Sequence, residues 1–402
     1  MQNPLKNIGP GALVTAAFIG PGTVTVCTLA GVQFGYELLW ALVVSIIATV
    51  ILQEMAARLG IVSQAGLSTA IRNEIKTPLL RVAAILIILS AIVIGNAAYE
   101  AGNISGGVLG LETLFSYDVS AYVFPSLIGL IAFILLFIGN YRIIEKALVS
   151  LVILMSLAFL ITAILTRPDL SDLFKGMLVP NLDANKLLMV MALVGTTVVP
   201  YNLFLHASLV KEHWKSPGDL PLARKDTYVS IILGGVVSIA IVVCAAAVQS
   251  SDINNAADLA LGLEPLLGIY AKYFLALGLF AAGITSAITA PLAAAYVASN
   301  CLAWDAGLKD KRFRAVWMFI LLLGMLSALS GIKSIEIIKF AQITNGILLP
   351  VIAMFLLWVM NKRTVLGDYV NSTLQNIIGG LVVLFTLFLG AKSLAKVFGF
   401  LG

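Results

Sequence analysis

Charge is the scarcest commodity in this chain. Only 11% of its 402 residues are Asp, Glu, Lys or Arg, while 60% are hydrophobic. Soluble domains carry roughly 25% charge, so a water-soluble protein of this length is excluded. Histidine occurs twice, and there is no HExxH pattern, no Walker A sequence and no Cys–His cluster. Hydrolytic and ATP-driven chemistry therefore lack their parts, and neither an enzyme nor a resident cofactor is expected. The three cysteines, Cys27, Cys244 and Cys301, are odd in number and lie in or beside apolar runs. A disulfide framework does not fit that pattern, and packing is their expected role. The net charge of +5 is spread over short polar segments. It fits loop topology, and no nucleic-acid partner is expected.

What the chain has is long apolar runs, the mark of a polytopic helical membrane protein. Eleven candidate spans fall near 8–31, 38–57, 82–104, 121–139, 147–166, 187–208, 227–249, 268–299, 315–331, 335–360 and 374–398. The runs are continuous rather than alternating, which excludes a closed barrel. With the N terminus inside, 17 of the 25 Lys and Arg fall in inner segments. The bias follows the positive-inside rule and sets an expectation of a cytoplasmic N terminus and an external C terminus in the cell membrane. The first span has one basic residue, Lys6, before it and no small-residue cleavage site after a short apolar core. It is expected to stay as a span rather than be removed as a signal peptide. The stretches 209–226 and 250–265 are expected to be loops.

Two of these runs are broken. Gly20-Pro21-Gly22-Thr23 interrupts the first and Val199-Pro200-Tyr201-Asn202 the sixth, with the two prolines 179 positions apart (200 − 21). A break at mid-membrane frees backbone groups that only protein, water or a bound solute can satisfy. Paired breaks in corresponding spans of two half-chains point to a transporter's substrate site. Eleven spans divide as five plus five plus one, and because five is odd the second set runs opposite to the first. The expectation is one transmembrane domain over 1–402, with inverted repeats near 8–166 and 187–360 and an extra helix near 374–398.

Several segments, in order, resemble the Nramp family of proton-coupled divalent-metal transporters and hence the LeuT-like fold. They are Gly9-Pro10-Gly11 through Leu59-Gly60, with Gly35-Tyr36-Glu37-Leu38-Leu39-Trp40 and Ala56-Ala57-Arg58-Leu59-Gly60 inside that stretch. Pro200-Tyr201-Asn202-Leu203-Phe204-Leu205-His206, Ala281-Ala282-Gly283 and Arg363 through Asn371 continue the match. The resemblance implies an all-α membrane protein of eleven helices, with the first and sixth interrupted. The departures bear on the site. The family's first break reads Asp-Pro-Gly-Asn and its sixth helix Met-Pro-His-Asn, where this chain has Gly20, Thr23, Val199 and Tyr201. The charged oxygen, the first amide oxygen and the soft thioether of that ligand set are thus missing. Asn202 and, on the tenth helix, Gln342 are kept, and the third helix carries Glu100 and Asn103 where the family has Asp and Glu.

The expected substrate-binding residues are accordingly Gly20, Thr23, Val199, Tyr201, Asn202 and Gln342, with Thr23, Asn202 and Gln342 the only ones suited to touch a metal. A site with no anion repays little of the cost of stripping water from a divalent ion. A hydrated, hard cation such as Mg²⁺ fits better than Fe²⁺ or Mn²⁺, and a small polar or cationic organic solute is the alternative. A non-transporting sensor or channel-like leak is a third class, which paired breaks disfavour. Glu100 is the one carboxylate between Arg81 and Glu112, and intramembrane acids are functional by default. With Asn103 and His206 it makes up the expected proton or coupling group. Glu54 and Arg58 stand i,i+4 and are expected to form a local ion pair. Arg142 with Glu145 reads as a membrane-edge pair, His213 as solvated, and Asn96, Thr285, Ser286 and Asn345 as path-lining or interhelical residues. Gly102 and Gly106 form a GxxxG expected to serve internal packing. The expected partners are the cargo, protons and the lipid bilayer, around a monomer.

Overall fold

The computed structural model describes residues 19–115, 121–139, 142–248, 253–304 and 308–400, which are all helix, turn or connection with no strand among them. In order the helices are α1 (Pro21–Phe34), α2 (Leu39–Ser63), α3 (Leu67–Glu74), α4 (Pro78–Leu114), α5 (Val123–Ile138), α6 (Arg142–Leu165) and α7 (Leu170–Leu178). Then follow α8 (Leu187–Thr197), α9 (Pro200–His213), α10 (Leu220–Ala246), α11 (Ala271–Cys301), α12 (Lys311–Ala328), α13 (Ser334–Val359) and α14 (Thr373–Val397). One-turn pieces lie between several of them. Among the described residues, eight helical stretches are long and apolar enough to cross a membrane, with α8 and α9 together counted as one. Of the remaining expected spans, α5 is apolar but only 16 residues long. The ninth corresponds to α12, which opens on Lys311, Arg312 and Arg314. The first is described from Ile19 onward.

Two expected boundaries move. Helix α4 runs ten residues past the expected end at 104 and counts 37 residues, about 55 Å at 1.5 Å per residue. Its added stretch, Ser105-Gly106-Gly107-Val108-Leu109-Gly110, is rich in glycine, a poor helix former by propensity. Packing overrides that preference. A Cβ on Gly110 would lie 2.5 Å from the Ala276 carbonyl of α11, and one on Gly283 of α11 would lie 2.6 Å from the Gly107 nitrogen. Only glycine lets the two backbones approach so closely. The expected loop at 209–226 is also largely helical, because α9 continues to His213 and α10 begins at Leu220. The described part of 250–265 likewise contains short helical turns.

Large apolar side chains such as Leu79, Leu86, Leu130, Leu233 and Leu384 are exposed on the outside of the bundle. In water such a belt would be an aggregation surface, whereas in a bilayer it is the lipid face. The chain is a multi-pass membrane protein. All three cysteines are free and buried, as the packing role required.

One end of the bundle is fastened by charge. The Arg58 guanidinium grips the Glu54 carboxylate with Nε at 3.1 Å and Nη2 at 3.0 Å. It also donates to the Tyr369 carbonyl at 2.8 Å and to Asn371 Oδ1 at 2.7 Å. Arg224 of α10 reaches the same carboxylate at 2.9 Å. The expected local ion pair is present, and it is the centre of a wider network joining α2, α10 and the connection into α14. The expected Arg142–Glu145 pair falls on side chains outside those described.

Candidate functional site

The helix starts at the two breaks are built the same way. Gly20 caps α1 in extended conformation and Pro21 takes the first helical position. Val199 caps α9, also extended, and Pro200 takes the first position there. Proline suits that position because its missing N–H would be an orphan in any case. Each helix so begun is 14 residues long. Helix α8 stops at Thr197, so Val198 and Val199 leave the helical path in the middle of an apolar run.

The two breaks meet. Thr23 Oγ1 and Thr196 Oγ1 share a hydrogen bond of 2.9 Å across 173 positions of sequence. Thr49 of α2 braces the second break from behind, donating to the Ser45 carbonyl at 2.7 Å and more weakly to the Thr197 carbonyl at 3.4 Å. Gln342 of α13 closes the group from the far side. Its amide lies over Gly22 so closely that a Cβ there would be 2.2 Å from Nε2. The backbone of Gln342 presses on α8 in the same manner, since a Cβ on Gly195 would fall 1.8 Å from its carbonyl oxygen. Gly106 of α4 seats Pro21, whose ring would stand 2.1 Å from an added methyl. The expected GxxxG thus serves internal contact, with Gly102 against Ala341.

Every group in this centre is neutral. Thr23, Thr196, Tyr201, Asn202 and Gln342 are all at most 1% exposed. Asn202 Oδ1 and Gln342 Oε1 are buried acceptors without a hydrogen-bond partner. Buried acceptors of this kind are costly unless something donates to them or coordinates through them. Tyr201 packs edge-on against Tyr99 of α4, with ring centroids 5.5 Å apart and planes inclined by 64°. Val199 offers only apolar surface and a backbone carbonyl. Among the described residues no three His, Cys, Asp or Glu side chains gather into a metal-holding group.

Glu100 and His206 sit apart from the breaks. Glu100 is fully buried. Its Oε2 accepts from Asn103 Nδ2 at 3.3 Å, while Oε1 has no partner. Its side chain lies against the backbone of α12, where a Cβ on Gly324 would be 2.4 Å from Glu100 Cγ. Its neighbour Tyr99 touches Tyr201 and so connects this acid to the second break. His206 Nδ1 is 2.8 Å from Gln53 Oε1 of α2, and Nε2 is unpartnered. Asn96 donates to the Ala290 carbonyl beside Pro291 at 2.8 Å, an interhelical tie between α4 and α11. His213 is exposed at the end of α9, as expected.

Of the expected binding residues, Thr23 and Gln342 converge on the first break, and Val199, Tyr201 and Asn202 form the second. Sequence inspection missed Thr196, Gln53, Tyr99 and Gly22. Thr196-Thr197 stand just before a proline break, and Gln53 is an uncharged polar residue in an apolar run, so both left a faint signal. Tyr99 left none, and Gly22 was visible only as part of the first break, because their roles depend on which helix faces them.

A helical bundle with an apolar belt, in which two proline-started helices meet at the centre, is the LeuT-like fold. The structural neighbours agree. A manganese transporter from Eremococcus coleocola, solved in complex with an aromatic bis-isothiourea substituted compound, superposes with a TM-score of 0.77 at 22% identity, covering 98% of this chain and 87% of that one. MhsT, solved with L-phenylalanine, gives a TM-score of 0.62 at 14% identity, covering 97% and 99%. Among sequence relatives, the divalent metal cation transporter MntH of Yersinia pestis is 26% identical, with 97% of this chain and 96% of that protein aligned. The metal transporter Nramp1 of Populus trichocarpa is 29% identical, over 98% and 76%. The family model described as natural resistance-associated macrophage protein-like matches residues 11–396. The chain belongs to the Nramp family, whose members are membrane transporters and not enzymes.

Proposed function

We propose that this protein is a secondary-active transporter that moves a cation by alternating access, with the cargo held between α1, the α8–α9 break and α13. The observation that carries the proposal is the Thr23–Thr196 bond, which joins the two broken ends directly. The relatives' divalent-metal cargo argues for a divalent cation here as well. The chemistry at the breaks sets which one. With Gly20 and Val199 in place of a carboxylate and a thioether, the site has no anion to offset full dehydration and no soft ligand to select a transition metal. Hydroxyl and amide oxygens suit an ion that keeps most of its waters, which favours Mg²⁺ over Fe²⁺ or Mn²⁺. Thr23, Asn202 and Gln342 are the side chains that would meet it.

Glu100, with Asn103 and His206, is the proposed coupling group. An intramembrane carboxylate with a free oxygen and no basic partner among the described residues is suited to taking up and releasing a proton. The frame proposed around it has eleven spans in a cell membrane and an N terminus in the cytoplasm. Its inverted repeats span about 8–166 and 187–360, and one copy is the working unit. The matched 14-residue helices after each proline support the repeats. A second cargo class, a small polar or cationic organic solute, is favoured by the Tyr99–Tyr201 pair, since aromatic faces attract organic cations.

Purified protein in liposomes, with Mg²⁺ and Mn²⁺ reporters inside and with and without a pH gradient, tests these together. Saturable Mg²⁺ entry exceeding Mn²⁺ entry, steepened by an inward proton gradient, is the expected result. No entry of either ion from folded protein would move the assignment to the organic solute, and entry unaffected by the gradient would remove the proton from the scheme.

A further inference from the structure

The lipid face of the bundle is interrupted by a groove of about 540 Å³ between the start of α4 and the end of α13, lined by Ile75, Ile87, Val351, Met354, Phe355 and Trp358. Of α4 it touches Ile87, the tenth residue of that helix and so roughly 14 Å from its start at 1.5 Å per residue. A depth of that order takes the upper part of an acyl chain. The groove is apolar along its length and basic at one end only. Lys362 Nζ lies 4.7 Å from the centroid of the Trp358 ring. Arg81 Nε donates to the carbonyl of Ile75 at 2.9 Å, which fixes that guanidinium at the opposite lip. Lys76, next in sequence to the lining Ile75, and Arg363, next to Lys362, are exposed. None of these four cations takes part in an ion pair among the described residues. Glu74, just before Lys76 in the chain, accepts instead from the Thr364 hydroxyl at 2.7 Å.

We propose that this groove is a binding site for an anionic phospholipid, with an acyl chain along Ile87, Met354 and Phe355 and the phosphate among Lys362, Lys76 and Arg81. The membrane helices place the groove in hydrocarbon, so its occupant is lipid. The unpaired cations at its mouth choose the headgroup, since a neutral or zwitterionic lipid leaves them uncompensated. The site lies on the same two helices that carry Glu100 and Gln342, and its cargo-independent chemistry separates it from the transport assignment.

Trp358 makes the site measurable, because it lines the groove and is one of only five tryptophans. The intact protein is reconstituted in phosphatidylcholine vesicles with rising fractions of brominated phosphatidylglycerol or brominated phosphatidylcholine. The Trp358 contribution to fluorescence is isolated as the difference from Trp358→Phe. Quenching by the anionic lipid should half-saturate at a mole fraction several-fold lower than quenching by the zwitterionic one. Each lysine near a membrane surface contributes on the order of fivefold to anionic binding. Lys76→Gln with Lys362→Gln should therefore close most of the gap between the two curves, with Arg81 and Arg363 holding the remainder. Both substitutions are at exposed or half-exposed positions, and Arg81 is left to hold the Ile75 carbonyl. Identical curves in the unmodified protein, or an anionic preference undiminished by the double substitution, would overturn the site.

Discussion

The charged end of the bundle and its neutral centre solve the same burial problem in opposite ways. At the end, Arg58 and Glu54 are 2% and 5% exposed, and each has its hydrogen-bonding capacity taken up by Arg224, Asn371, Tyr369 and the other. At the centre the described side chains carry no charge, yet Asn202 Oδ1 and Gln342 Oε1 are left without partners. A fully satisfied network fastens helices in place. A centre with spare acceptors fits the proposal that a cargo completes it. The contrast separates fastening from binding without any reference to sequence motifs.

The largest effect should come from breaking the fastened end. Arg58→Ala leaves Glu54 buried with Arg224 as its one basic partner and is expected to cost about 3–5 kcal/mol. Arg58→Lys should restore little, because a single amine cannot reach Glu54, Asn371 and the Tyr369 carbonyl together. Thermal unfolding in detergent measures both, and a melting temperature for Arg58→Ala equal to that of the unmodified protein would remove the network from the account. Next in size is Gly195→Ala. The new methyl would stand 1.8 Å from the Gln342 carbonyl, and such overpacking costs about 1–3 kcal/mol. Because it pushes α8 from α13, transport should fall further than stability does.

Glu100→Gln sharpens the contrast from the other side. The amide keeps the shape next to Gly324 but cannot carry a proton, so folding should be little changed while the pH-gradient dependence of uptake is lost. Gradient-driven uptake at the normal level would exclude Glu100 as the coupling group. The smallest effect is expected at the polar entrance to α8, where Lys186 pairs with Glu37 at 2.7 Å and Asp183 at 3.1 Å. The hydrogen bond from Lys186 holds the Asp183 carboxyl below its ordinary value. A lowered acid contributes stability at neutral pH and loses it as pH falls through the carboxylate range. The small difference between unmodified protein and Lys186→Met in a melting curve should therefore vanish in acid.

Much of this contrast was legible in the amino-acid sequence. The spans follow from apolar runs, and the breaks from Pro21 and Pro200, because helix length and proline geometry are local properties. Glu54 and Arg58 were legible as a pair for the same reason. Their extension to Arg224 and Asn371 was not, since it depends on helices brought together from 170 and 313 positions away. Helix α4 was drawn ten residues short because Gly106, Gly107 and Gly110 disfavour helix by themselves. It is the contact with Pro21 and α11 that holds them there. Thr196 escaped notice because nothing local marks it as the partner of Thr23. The absence of a carboxylate at the first break, by contrast, is visible in one residue, Gly20, and the proposed choice of cargo rests on it.

That residue offers the most direct test. The ratio of Mn²⁺ to Mg²⁺ entry into liposomes should be measured side by side for the unmodified protein and Gly20→Asp. Gly20 caps α1 in extended backbone, φ −110° and ψ −171°, a conformation open to aspartate and one in which aspartate is a favoured cap. If the missing anion sets the cargo, the unmodified protein carries Mg²⁺ in preference, and the added carboxylate tightens divalent binding and raises the Mn²⁺ share. An unmodified protein that already prefers Mn²⁺, or a ratio untouched by the carboxylate, would contradict the claim that a neutral centre selects a hydrated ion.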